Sequence, residues 1–199
     1  MVKVKAAVGI PLFMFIRSVS CLAAAISLSA CANTVADLRD GSRENAGLCP
    51  NIFALEDAAR VVEFAGEPSL ETVAWSAEIT NVSTSCRYLE DRPIRANVQI
   101  NMSVGRGPAA GSDTHELEYF VAVTRRNRDV IAKETFTRPV RIRGDIASVD
   151  ITEDVRSILI PRRDESISGT NFEIAVGFSV TREQVLYNRS GQSLKFPEL

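Results

Sequence analysis

The stretch PIRANVQINMSV, residues 93–104, constrains the fold of this chain more than any other segment. Ile94, Ala96, Val98, Ile100, Met102 and Val104 alternate there with Arg95, Asn97, Gln99, Asn101 and Ser103. A period of two sends successive side chains to opposite faces of a strand, so one face enters a core while the other stays in water. On a helix the same apolar residues would scatter around the circumference and leave no stripe to bury. Pro93 stands at the start, where its missing N–H removes no interior ladder bond.

The pattern recurs. Residues 71–80 bring Val73, Trp75, Ala77 and Ile79 to one face; residues 115–124 do the same with Leu117, Tyr119, Val121 and Val123; residues 172–180 with Phe172, Ile174, Val176, Phe178 and Val180. Weaker strand signals lie at 59–64, 129–136, 146–151 and 157–161, divided by GEPS, GRGPAAG, RRNR, RGD and RRDESISG. Short strands between polar or Gly/Pro-containing separators predict an all-β domain, an antiparallel immunoglobulin-like sandwich of about seven or eight strands. Trp75 and a cysteine bridge are expected to share its core. One short C-terminal helix is predicted, because Thr181 and Gln184 have capping-box spacing. Val185 and Leu186 are expected to cover an open end of the sandwich. Residues after it read as a loose tail or an edge cover.

The amino terminus has a different character. Residues 1–17 are basic and apolar, residues 18–30 are a short apolar run, and small residues lead into Cys31, the layout of an export signal. The run after Arg17 falls short of the roughly 20 residues a membrane-crossing helix needs, so a stable transmembrane anchor is the second reading. Leu28-Ser29-Ala30-Cys31 resembles the lipobox of bacterial lipoprotein precursors. That resemblance implies cleavage between Ala30 and Cys31, a diacylglyceryl group on the Cys31 thiol, and a membrane held through acyl chains. The absence of Asp at position 32 implies, by the same resemblance, an outer-membrane protein facing the periplasm. Met14 opens a compact signal of its own and is a second candidate start. The expected organisation is a signal at 1–30, a lipid-bearing flexible linker at 31–47, a β-sandwich domain at 48–190 and a tail at 191–199.

Cysteine usage follows from this division. Cys21 falls inside the signal and Cys31 is assigned to lipid, which leaves Cys49 and Cys86. In an oxidising compartment the remaining pair most simply forms a disulfide, worth roughly 4 kcal/mol in the chain-entropy treatment.

Charge narrows function by exclusion. Lys3, Lys5 and Arg17 are the basic residues before Cys31, and all Asp and Glu follow it, so the exported part is acidic and no nucleic-acid binder. His115 is the single His, which rules out a multi-His metal site, and GRGPAAG at 105–111 lacks the GK[ST] of a phosphate loop. No cofactor is implied. Ser112, Asp113 and His115 can be written as a hydrolytic triad, but no GxSxG marks a nucleophile elbow. Glu116 and Glu118 share a strand face and read as solvated. Arg125, Arg126, Arg128, Arg141 and Arg143, with Arg162 and Arg163, are candidates for an anion-binding patch at one end of the sandwich. The reading favoured by these residues is a non-enzymatic module that binds or scaffolds an envelope protein or polymer through a strand edge or an end loop. The alternatives are a small envelope hydrolase using His115 and a carrier of an apolar ligand.

Beyond the signal, the segments LCPNIFALEDAARVVEF, AEITNVSTSCRY, GRGPAA, EYFVAVTRR, IAKETF and GFSVTREQVLYNR are spread over most of residues 48–189. Together they resemble small alphaproteobacterial envelope lipoproteins of uncharacterised role. The resemblance implies an exported domain and supplies no active site.

Overall fold

The computed structural model describes residues 47–89, 92–126 and 129–195. The signal, Cys21, Cys31, the linker up to residue 46, Arg128 and residues 196–199 lie outside the described residues. The described residues belong to one compact unit.

That unit is built from eight strands: β1 (Asn51–Ala54), β2 (Arg60–Phe64), β3 (Val73–Arg87), β4 (Ile94–Arg106), β5 (Thr114–Arg125), β6 (Val130–Arg141), β7 (Ser148–Ile160) and β8 (Phe172–Phe178). One short helix, α1 (Arg182–Arg189), follows β8. The strands form two four-stranded sheets, β1-β8-β5-β6 and β2-β3-β4-β7. All pairings are antiparallel except β1 with β8. The result is an all-β sandwich with the core between the sheets.

The period-two stretch behaves as its chemistry requires. Every apolar member of β4 from Ile94 to Val104 is almost wholly buried, and Trp75, Ala77 and Ile79 of β3 with the inward residues of β5 and β8 join it in one cluster, while Val73 packs with Val62 in a smaller one. Their counterparts Arg95, Asn97 and Gln99 stay exposed. At roughly 25 cal/mol per Å² of apolar surface removed from water, this double layer is the main source of stability.

Several elements differ from the expectation. The eight strands are not the eight runs read from the sequence, because β1 is an additional strand and the signals at 146–151 and 157–161 belong to one strand, β7. The β4–β7 register shifts between Ala96 and Val98, where Arg156 and Ser157 of β7 stand opposite the single residue Asn97, one residue more than the ladder needs. Ser157 takes φ 62°, and its N–H donates to Asn97 Oδ1 at 3.0 Å. A bulge of this kind changes which face each side chain meets, so the period breaks while the strand continues. The same device lengthens β3 to Arg87. A register shift between Ile79 and Asn81 leaves Thr80 extra, and inward positions pass from odd to even numbers beyond it. Thr80 Oγ1 is tied to the Asn101 carbonyl at 3.1 Å.

The capping box of α1 is present, with Thr181 Oγ1 accepting from the Gln184 N–H and Gln184 Oε1 from the Thr181 N–H. Leu186 does not help to close an end of the sandwich, while Val185 is half-buried. Leu186 is 55% exposed. The contact is made instead by Tyr187, edge-on to Phe64 at 5.6 Å, and by Asn188, whose amide donates to the carbonyls of Asp57 and Arg60. These bonds hold α1 against β2, the edge strand of its sheet. The chain beyond forms a 3₁₀ turn at Gln192–Lys195 with Ser193 buried, so this part of the tail is folded.

Cys49 and Cys86 are disulfide-bonded with Cα atoms 5.6 Å apart. The bridge joins the chain just ahead of β1 to the far end of β3, linking the two sheets at the end where the described chain begins. Trp75 belongs to the same apolar cluster that Cys86 packs against, but lies near the opposite end of β3.

Candidate functional site

The register gives the sandwich two distinct ends. At the disulfide end lie Arg87 of β3, the β5–β6 turn, and the connection from β7 to β8. Tyr88 locks this end: its hydroxyl donates to the Leu48 carbonyl at 2.7 Å and accepts from the Gly169 N–H at 2.6 Å. Gly169 is needed there because a Cβ would lie 2.4 Å from the Leu48 carbonyl oxygen. At the other end lie the β2–β3, β4–β5 and β6–β7 connections.

This division breaks up the arginine patch read from the sequence. Arg125 and Arg126 stand where β5 ends, whereas Arg141 pairs with Thr114 where β5 begins, and Arg143 follows Arg141. Strand rise separates the two groups by roughly 35 Å. Arg128 lies outside the described residues. Arg162 and Arg163 follow β7 at the disulfide end, where Arg162 Nε donates to the Arg92 carbonyl at 2.7 Å and its guanidinium lies over the Tyr88 ring. The described arginines of the patch therefore do not form one surface.

The triad residues are likewise held apart in purpose. Ser112 Oγ accepts from the Thr114 N–H at 3.1 Å, a local turn bond. Asp113 Oδ1 pairs with Arg106 Nη2 at 3.2 Å. His115 turns into the sandwich with the inward phase of Leu117 and Tyr119. Its ring stacks on Trp75 with centroids 5.0 Å apart and planes 16° from parallel. Its Nε2 lies 3.5 Å from Glu63 Oε1, an ion pair only when the imidazole is protonated. Three strands thus supply the group: β2 gives Glu63, β3 gives Trp75 opposite it in register, and β5 gives His115. The parity of His115 with Leu117 was a usable sign of its inward direction. No pattern in the sequence marked Glu63 as its partner.

Beside this group opens a recess of about 220 Å³, bounded by Val61 and Glu63 of β2, by His115–Glu118 of β5, and by Phe178 and Ser179 at the end of β8. It exists because β8 stops before β5 does. The last β8 residue in the ladder, Phe178, stands opposite Tyr119, and the Ser179 N–H donates to the Glu118 carbonyl at 2.9 Å before the chain leaves for α1. β5 continues to Thr114 without that neighbour.

A second, shallower groove of about 310 Å³ crosses the outer face of β3, β4 and β7, lined by Ser83, Ser85, Asn97, Gln99, Asp154 and Arg156 among others. Its side chains engage one another, with Gln99 Nε2 donating to Asp154 Oδ1 at 3.3 Å and Arg156 Nη2 3.7 Å from Asp154 Oδ2. Hydroxyls, amides and charges dominate this wall.

Among the described residues no group of three or more His, Cys, Asp or Glu side chains has the arrangement to hold a metal ion. No described helix is long and apolar enough to cross a membrane. The chain matches no protein-family model, no curated protein and no solved structure.

Proposed function

We propose that this chain is a lipid-anchored envelope protein of the kind its lipobox and β-rich segments resemble among small alphaproteobacterial lipoproteins. It is acylated at Cys31, held on the outer membrane facing the periplasm, and works as a non-enzymatic module that binds or scaffolds another envelope component. The single observation that carries the reading is the Cys49–Cys86 disulfide. Such a bond persists in oxidising compartments and is rare where glutathione and thioredoxin keep thiols reduced. It supports export, and export gives the lipobox its meaning. The separate engagements of Ser112, Asp113 and His115 favour binding over hydrolysis. An immunoglobulin-like arrangement of the two sheets, part of the same proposal, suits recognition of partners through strand edges and end loops.

The test is intact-mass analysis of the protein recovered from its host, combined with membrane fractionation and alkylation of free thiols. The expected species is membrane-bound, starts at Cys31, carries acyl mass on that residue and leaves Cys49 and Cys86 unlabelled. A cytosolic chain with an unmodified amino terminus and two reactive thiols would overturn the proposal.

A further inference from the structure

We propose that the stretch of β5 running past the end of β8 is a docking edge that takes an extended, basic segment of a partner protein as an added strand.

The argument begins with backbone chemistry. Along an antiparallel strand, alternate residues turn their N–H and C=O groups to the same side. Glu118 faces the β8 side, since its carbonyl accepts from Ser179. Glu116, two residues back, therefore turns both its N–H and its C=O to that side, where β8 no longer runs. Its neighbour across the other side, Pro139 of β6, agrees with this phase: the Glu116–Pro139 pair turns its backbone groups away from one another. A free N–H and C=O beside a recess are the template an incoming strand uses.

The other edges of the sandwich are guarded. β2 is covered by α1 through Asn188. β6 carries Pro139 with its nitrogen on the outer edge, together with the charged Lys133, Glu134 and Arg138. β7 is interrupted by its bulge at Arg156 and Ser157. β1 has only 4 residues. These are the devices by which sheets avoid unwanted pairing; at Glu116 the edge carries charge of one sign but has neither Pro nor bulge.

Side chains define the partner's chemistry. Glu63, Glu116 and Glu118 border the recess, while Val61, Leu117 and Phe178 form its floor. A strand laid here sends alternate side chains towards that apolar floor and towards the surrounding carboxylates. An alternating apolar and Lys/Arg segment satisfies both demands. Trp75, the single Trp of the chain, lies under His115 at the recess and reports on its occupation.

This inference deepens the binding-module reading by naming its surface and its class of partner, and its test is independent of membrane attachment. The probe is an acetylated, amidated peptide of alternating Val and Lys, titrated into the purified mature protein while Trp75 emission and amide hydrogen exchange of residues 114–118 are followed. Saturable binding with slowed exchange at Glu116 is expected. N-methylation of alternate peptide amides, which keeps charge and removes the edge bonds, is expected to weaken binding at least tenfold, as is replacement of Lys by Glu in the peptide. On the protein side, Glu116→Pro removes the edge donor, and Glu63→Lys with Glu118→Lys reverses the charge without touching the backbone; each is expected to weaken binding at least tenfold. No binding at millimolar peptide overturns the proposal. So does binding indifferent to N-methylation, protection that maps to β6 or β7, or protection of Glu116 that rises with protein concentration in the absence of peptide, which would mark a second copy of the chain as the occupant. A cytosolic, unacylated protein would sink the anchoring proposal and leave this measurement readable.

Discussion

Replacing both Cys49 and Cys86 by Ala is expected to lower the melting temperature by roughly 12 °C. The bridge spans 37 positions and encloses β1, β2 and nearly all of β3. Releasing a loop of that length restores to the unfolded chain an entropy worth about 4 kcal/mol at room temperature. The Cα separation of 5.6 Å is in the ordinary range, so the folded state closes the bridge without displacing its backbone. A domain of roughly 150 residues unfolds with an entropy of about 0.3 kcal/mol/K, which converts the loss into the stated shift. The Tyr88 bonds to Leu48 and Gly169 survive the substitution and keep the chain entry in place, so the loss belongs chiefly to the unfolded state. The assay is thermal unfolding of the double variant against the oxidised protein, with the reduced protein as a third sample. The reduced protein and the double variant should agree within a few degrees. A shift below about 4 °C in both would refute the reasoning, since the bridge would then leave the unfolded ensemble largely unconstrained.

Three further outcomes follow from local geometry. Ser157→Gly is expected to raise the unfolding free energy by about 0.5 kcal/mol, read as a higher urea midpoint, because relief of the left-handed conformation outweighs the added chain entropy, whereas Asn97→Ala removes the carbonyl that Ser157 N–H uses and costs about 1 kcal/mol. Gly107→Ala is expected to destabilise by about 2 kcal/mol or more in equilibrium unfolding, since a Cβ there would lie 2.2 Å from the Val73 carbonyl oxygen and the Gly107 N–H bonds Ala74 at 2.8 Å. Burial, and then the Glu153 carboxylate that its hydroxyl reaches, push the Tyr119 phenol well above its ordinary value. A raised pKa in the fold means that above about pH 10 the unfolded chain releases a proton which the native state keeps, so stability should fall as pH rises through the alkaline range. Ultraviolet titration should find the Tyr119 phenolate appearing only with unfolding; its ionisation in the intact fold near pH 10 would contradict the burial argument.

The legible part of the fold was the part in which period and burial agree. β4 could be read residue by residue because its alternation runs unbroken from Ile94 to Val104. β3 and β7 could not, because Thr80 and the Arg156–Ser157 pair each change the phase within a continuing strand, and an extra residue in a ladder has no sequence mark as strong as the alternation it breaks. β1 escaped notice because 4 residues paired in parallel with β8 carry too little pattern of their own. The arginine patch failed for a different reason. Which end of a sheet a residue occupies depends on the order and direction of strands, and Arg125, beside the β5–β6 turn, is held a strand's length from Arg141 at the open end of the same hairpin. The recess was hidden by the same limit, since it arises from β8 ending early beside β5, a relation between two distant segments.

The lock formed by Tyr88, Leu48, Gly169 and the disulfide also fixes how the sandwich bears mechanical load. Tension arriving along the chain ahead of Leu48 reaches Cys49 and passes through the covalent bridge into Cys86, at the tip of the longest strand. The short strand β1 is thereby spared the peeling force that would strip it from β8. Rupture must then drag at β3, which is laced to β2 on one side and β4 on the other, so the fold should resist traction from its leading chain far better once the two sulfurs are joined.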